Sequence, residues 1–82
     1  MMKAHVYVTL KPSVLDPQGQ TIHNALRKMG TAGVESVRQG KYFAITLRDG
    51  MAVDAVREEV ETIARNVLTN PVIEEFSYRI EE

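Results

Sequence analysis

A chain of 82 residues, 44% hydrophobic and 26% charged, has the make-up of one ordinary globular domain, expected to span residues 1–82. It contains no cysteine, which excludes disulfide staples and cysteine-bound metal. A net charge of −1 gives no overall field for nucleic acid.

The charge is unevenly spread. Residues 1–41 carry six Lys/Arg against two Asp/Glu, and residues 42–82 carry four against nine. Two halves that fold against each other partly neutralise this imbalance. A domain this small hides only about 60–65% of the surface its unfolded chain exposes. Without staples, such a core is often completed by oligomerisation. No apolar run approaches the roughly 20 residues that cross a bilayer. Met1 to Leu10 lacks the apolar stretch of a secretory signal. The expectation is a cytoplasmic protein with no membrane contact.

Ala4, Val6, Val8 and Leu10 alternate with His5, Tyr7, Thr9 and Lys11, the period of a half-buried strand that Pro12 ends. Asp16 suits a helix N-cap and Pro17 the first helical position, where a missing amide costs nothing. Ile22, Ala25, Leu26 and Met29 then form one apolar stripe, and Gly30 is placed to stop the helix. A helix over about residues 17–29 follows. It leaves Gly19 unexplained, because glycine in a helix costs roughly 0.5–1 kcal/mol relative to alanine. Either bare backbone is needed there for a close approach, or the cost is tolerated.

Val34 to Arg38 is a short strand candidate, with a turn at Gln39-Gly40. Phe43, Ile45 and Leu47 alternate with Tyr42, Ala44, Thr46 and Arg48, a second clear strand. Residues 34–48 therefore read as a hairpin or as one long strand bent near Gly40. Asp49-Gly50 breaks the pattern. A second helix over about residues 51–68 buries Val53, Val56, Val60, Ile63, Ala64 and Val67, with Glu61 and Arg65 in the order that favours a helical ion pair. Asn70-Pro71 stops it. A last strand runs from about Val72 to Ile80, with Phe76, Tyr78 and Ile80 inward.

The order β-α-β-(β)-α-β gives an α+β domain: a small antiparallel sheet with two amphipathic helices on one face. The other face carries His5, Tyr7, Thr9, Tyr42, Ala44 and Thr46. It is too aromatic for a purely solvated surface and reads as an oligomer or partner face.

Catalytic chemistry is hard to find. Ser13, Ser36 and Ser77 sit in no nucleophile motif, and His5 and His23 read as surface or interface histidines. No spacing of His, Asp or Glu matches a metal site, and Glu58, Glu59 and Glu61 read as a solvated helix face. Asp16-Pro17-Gln18-Gly19 has one glycine and an acid, which is poor for phosphate. Arg38, Gly40 and Lys41 form a small basic turn, suited equally to an anionic or acidic partner group and to a solvated hairpin tip. The residues point away from an autonomous enzyme.

The stretches "VYVTLKPSVLDPQGQTIHNALRKMG", "VRQGKYF" and "NPVIEEFSYRIEE" follow one another along nearly the whole chain. Leu15-Asp16-Pro17-Gln18-Gly19, Ala25-Leu26 with Gly30, Val37-Arg38 with Gly40-Lys41, and Asn70 to Glu74 are the marks that matter. In these the chain resembles the PurS family, the small subunits of phosphoribosylformylglycinamidine synthase. Met29 stands where that family usually has leucine, a nearly volume-conserving change.

The resemblance implies a non-catalytic subunit of a ligase. It would form homodimers or homotetramers and bridge a large synthetase subunit and a glutaminase subunit. The complex would convert formylglycinamide ribonucleotide to the amidine in purine biosynthesis, with ATP and magnesium held by the large subunit and no cofactor by this chain. The expected partner contacts are Asp16, Pro17, Gln18 and Gly19, then Arg38, Gly40 and Lys41, then Asn70 and Pro71. A different class of reading is a standalone ferredoxin-like module binding a small effector, and a weaker one is a small RNA-binding domain.

Overall fold

A computed structural model describes residues 2–82; Met1, included in the single-domain expectation, lies outside the described residues. The chain runs β1 (Met2–Leu10), α1 (Pro17–Lys28), β2 (Gly40–Leu47), α2 (Val53–Ile63), a π-helical turn (Ala64–Leu68) and β3 (Glu74–Glu81). The sheet is antiparallel in the order β2-β1-β3. Val6 faces Phe43 on one side and Tyr78 on the other, so the inward residues of all three strands align across one face.

That face and α2 make the core. Ala4, Val6, Val8 and Leu47 pack against Val56, Val60 and Ala64, with Phe43, Ile45, Phe76, Tyr78 and Ile80 around them. The α+β class, the antiparallel sheet and both helices are therefore as the sequence predicts. The predicted ion pair forms too, with Arg65 Nη2 3.0 Å from Glu61 Oε1.

The two helices differ in what they cover. α2 fills the core, whereas α1 contributes none of its apolar side chains to it. Ile22 is 41% and Met29 78% exposed, and only Leu26 of the predicted stripe is half-buried. The molecule measures 51 × 26 × 14 Å with a radius of gyration of 16.2 Å. A compact chain of this length would have a radius of about 12 Å.

Two further expectations are corrected. The strand candidate at Val34–Arg38, and with it both the hairpin and the long bent strand, is not formed: β2 begins at Gly40, and residues 34–39 are irregular. Their backbone groups are taken by α1 and its flanks instead of by a ladder. Val34 O lies 3.1 Å from His23 Nε2, and the Gln39 amide donates to Asp16. Val67, expected in the stripe of the second helix, is 75% exposed. The chain widens to π-helical winding from Ala64, which turns Val67 outward and brings Leu68 against the core.

Candidate functional site

The root of α1 is the most tightly determined polar region. Asp16 has extended backbone and caps the helix: its Oδ1 accepts the Gly19 amide at 2.9 Å. Its Oδ2 accepts the Gln39 amide at 2.6 Å, so one carboxylate ties α1 to the entry of β2. These two amides, Gln39 foremost, together with the Arg38 guanidinium, hold the Asp16 carboxyl below its usual range.

Gly19 is now accounted for. A Cβ there would lie 2.3 Å from the Val37 carbonyl oxygen and 2.8 Å from Asp16 Oδ2. The sequence left open whether glycine was required; the close approach of residue 37 requires it. Gly40 has a related role. It sits in β2 opposite Thr9 as the first strand residue, not at a hairpin tip, and a Cβ would lie 2.4 Å from Val8 O.

Arg38 is turned toward its own fold. Its Nη2 donates to Lys11 O at 3.0 Å and Val14 O at 2.8 Å, clamping the loop between β1 and α1. Lys41 faces the other way, with Nζ 3.4 Å from Glu74 Oε2 across the end of β1. The expected basic turn is thus divided between a loop clamp and an ion pair.

Asn70 organises the entry to β3. Its carbonyl accepts the Ile73 and Glu74 amides, its side chain accepts the Val72 amide, and its own amide donates to Glu74 Oε1 at 2.8 Å. That last bond, with Lys41, holds the Glu74 carboxyl below its usual range despite partial burial.

A cleft of about 230 Å³ lies where these pieces meet, lined by Thr9, Asp16, Gln18, Lys41 and Glu74 among others. The structure brings four of the expected partner residues to it, namely Asp16, Gln18, Gly40 and Lys41. Gly19 lies buried just behind, and Asn70 reaches it through Glu74. Pro17 and Pro71 border separate shallow surfaces. Gln39 and Glu74 line the cleft and were not among the expected residues. Glu74 is one of the residues that carry the family resemblance, but its pairing with Lys41 comes only from the strand register.

The second expected group, His5, Tyr7, Thr9, Tyr42, Ala44 and Thr46, does share the sheet face away from α2. The register sets His5 opposite Ala44, Tyr7 opposite Tyr42 and Lys3 opposite Thr46. The rings of Tyr7 and Tyr42 lie 5.4 Å apart and those of His5 and Tyr42 5.8 Å apart. Glu81 joins them from β3, its Oε1 2.9 Å from His5 Nε2. Among the described residues no cluster of His, Asp and Glu is arranged to hold a metal ion, and no helix is long and apolar enough to cross a membrane.

Comparison with known proteins gives a concordant answer. The sequence profile of the family "PurS: Phosphoribosylformylglycinamidine (FGAM) synthase" matches residues 3–82. The PurS subunit of phosphoribosylformylglycinamidine synthase from Bacillus subtilis is 41% identical over all of this chain and 95% of its own length. The crystal structure of Methanocaldococcus jannaschii PurS superposes with a TM-score of 0.87 at 36% identity, covering 100% of this chain and 98% of that one. A chain of the PurLQS structure from Thermotoga maritima superposes at 0.85, with 27% identity and 99% of both chains covered. With a full-length profile match, relatives at this identity and the same fold, the chain belongs to the PurS family of phosphoribosylformylglycinamidine synthase subunits.

Proposed function

We propose that this subunit of phosphoribosylformylglycinamidine synthase works as a non-catalytic bridge between the glutaminase and the synthetase subunits. The observation that carries the reading is the unfilled stripe of α1. A helix with Ile22 and Met29 in water is incomplete by itself, and the molecule is far longer than its chain length needs. The stripe is the surface for a second copy in a homodimer, or in a homotetramer built from it. The cleft at the root of α1 is the contact for a larger subunit. The kinship with a chain of a PurLQS structure supports assembly with two further subunits.

The chemistry gives a reason for a bridge. Ammonia released from glutamine is mostly protonated at neutral pH, and the ammonium ion is no nucleophile. Holding glutaminase and synthetase in register makes the transfer effectively intramolecular. ATP and magnesium are then the business of the large subunit, and the assembly is cytoplasmic. The test is synthetase activity with glutamine or with ammonium as donor, with and without this chain. Glutamine-dependent activity should need the chain while ammonium-dependent activity barely changes. Equal dependence of both, or of neither, overturns the bridging role.

A further inference from the structure

The sheet face away from α2 holds three side chains in a line that neither core nor helix packing requires. Tyr42 Oη lies 2.5 Å from His5 Nδ1, and His5 Nε2 lies 2.9 Å from Glu81 Oε1. The three residues come from three different strands. His5 is on the central β1, Tyr42 on β2 and Glu81 on β3, so the register of the whole sheet sets their spacing.

The direction of the hydrogen bonds follows from the partners. The His5 bond is the main reason the Glu81 carboxyl lies below its usual range, and an ionised carboxylate only accepts. His5 Nε2 therefore carries the hydrogen. In the neutral ring Nδ1 is then an acceptor, and the Tyr42 hydroxyl must donate to it. A nucleophile, a base within reach of its proton and a third group that fixes the base's tautomer make the arrangement used to activate hydroxyl nucleophiles.

The surroundings fit a reactive group better than a structural one. The His5 side chain is 12% exposed, so the base is shielded, whereas Tyr42 is 54% exposed. Lys3 and Arg79 flank Glu81, with Arg79 Nη1 3.9 Å from Glu81 Oε1, and place positive charge beside the line. Tyr7 lies on the same face, 40% exposed, and has no bond to His5. It is a built-in reference for a phenol without a base.

We propose that Tyr42 is an activated phenol, a modification site for electrophilic acyl donors, with His5 as its base and Glu81 as the positioning residue. In the step, the Tyr42 oxygen attacks the acyl carbonyl and the O–C(acyl) bond forms. The bond to the leaving group breaks, and the phenolic proton passes to His5 Nδ1. This assignment is independent of the bridging role and concerns the opposite side of the sheet from α2.

The experiment uses the full chain and p-nitrophenyl acetate at pH 8. Nitrophenolate release is followed, and acetylated residues are located by peptide mass mapping. Tyr42 should label about 100-fold faster than Tyr7, the low end of what a positioned general base contributes. Tyr42→Phe should remove the fast phase. His5→Gln, which keeps hydrogen-bonding groups but not the base, should bring Tyr42 to the rate of Tyr7. Glu81→Gln should lower the rate and alter its pH profile, which a loss of mere packing would not do. Circular dichroism identifies variants that keep the fold. Comparable rates at Tyr42 and Tyr7 in the unaltered chain overturn the proposal. So does a Tyr42 that stays unlabelled, since a phenol shielded by assembly is no reaction site.

Discussion

Replacing Gly19 by alanine gives opposite answers depending on whether the local helix or its packing decides. In an ordinary helix the change stabilises by about 0.5–1 kcal/mol, because glycine gives up more backbone freedom on folding. Here the new Cβ would lie 2.3 Å from Val37 O, about 1 Å inside ordinary contact. That oxygen belongs to backbone, and the two residues that follow it are both held. Arg38 is bonded to the Lys11 and Val14 carbonyls, and the Gln39 amide is bonded to Asp16. Relief must therefore move a fixed segment, and overpacking of this kind costs about 1–3 kcal/mol. The net expectation for Gly19→Ala is a loss of about 1–2 kcal/mol. Urea unfolding followed by far-ultraviolet circular dichroism measures it, at one protein concentration, since the proposed self-association would add to apparent stability. Gly33→Ala is the control: nothing lies within 4 Å of its Cβ position, and its change should stay within about 0.5 kcal/mol. A Gly19→Ala protein as stable as the original, beside a neutral Gly33→Ala, would show that the close approach is not what excludes a side chain.

Two further outcomes follow from the same geometry. Asp16 and Glu74 have carboxyls held below their usual range by backbone amides, so the stability they add is complete above the ordinary carboxylate pKa of about 4 and is lost as pH falls through the lowered values. The urea midpoint should thus hold from neutral pH to about 5 and drop on further acidification, with a shallower drop in Asp16→Asn; a midpoint unchanged to pH 3 contradicts the assignment. Ile22→Lys combined with Met29→Lys should keep the circular dichroism spectrum but give a monomer in sedimentation velocity, and an unchanged sedimentation coefficient would exclude the α1 stripe as the contact between copies.

Most of the fold was legible because its strands and α2 are decided by local pattern. Val6 and Val8 lie where a period of two puts them, and Val56 and Val60 where a period of 3.6 does. Asp16 and Pro17 declared the start of α1 through capping chemistry alone. Residues 34–38 do not form the expected strand: the spacing of Val34 and Val37 breaks strict alternation, and what meets the backbone of residues 34–39 is Gly19, His23 and Asp16, distant in sequence. Val67 was misread because nothing in "ARNVL" announces a change from 3.6 residues per turn to π winding. Of the site, single residues could be named but their pairing could not. Lys41 with Glu74, and His5 with Glu81, are joined only when β1 takes its place between β2 and β3.

The position of α1 shows how a small chain can be firm and incomplete at once. Its first turn is fixed by the two bonds of Asp16, by the bare backbone of Gly19 and by the Arg38 clamp, while its apolar stripe is left in solvent. A helix that was merely poorly packed would be loose at its root as well. A helix held at its root carries its stripe in a set direction, so that association need not spend much free energy on ordering it. On the proposed pairing of copies through this stripe, Gly19 and Asp16 act on it by holding the helix in place. Loosening the root by Gly19→Ala should weaken self-association beyond what the loss of folded protein explains, and sedimentation at a concentration where folding is complete separates the two effects. Equal dimer affinity in the folded Gly19→Ala protein would mean that the stripe finds its partner without being aimed.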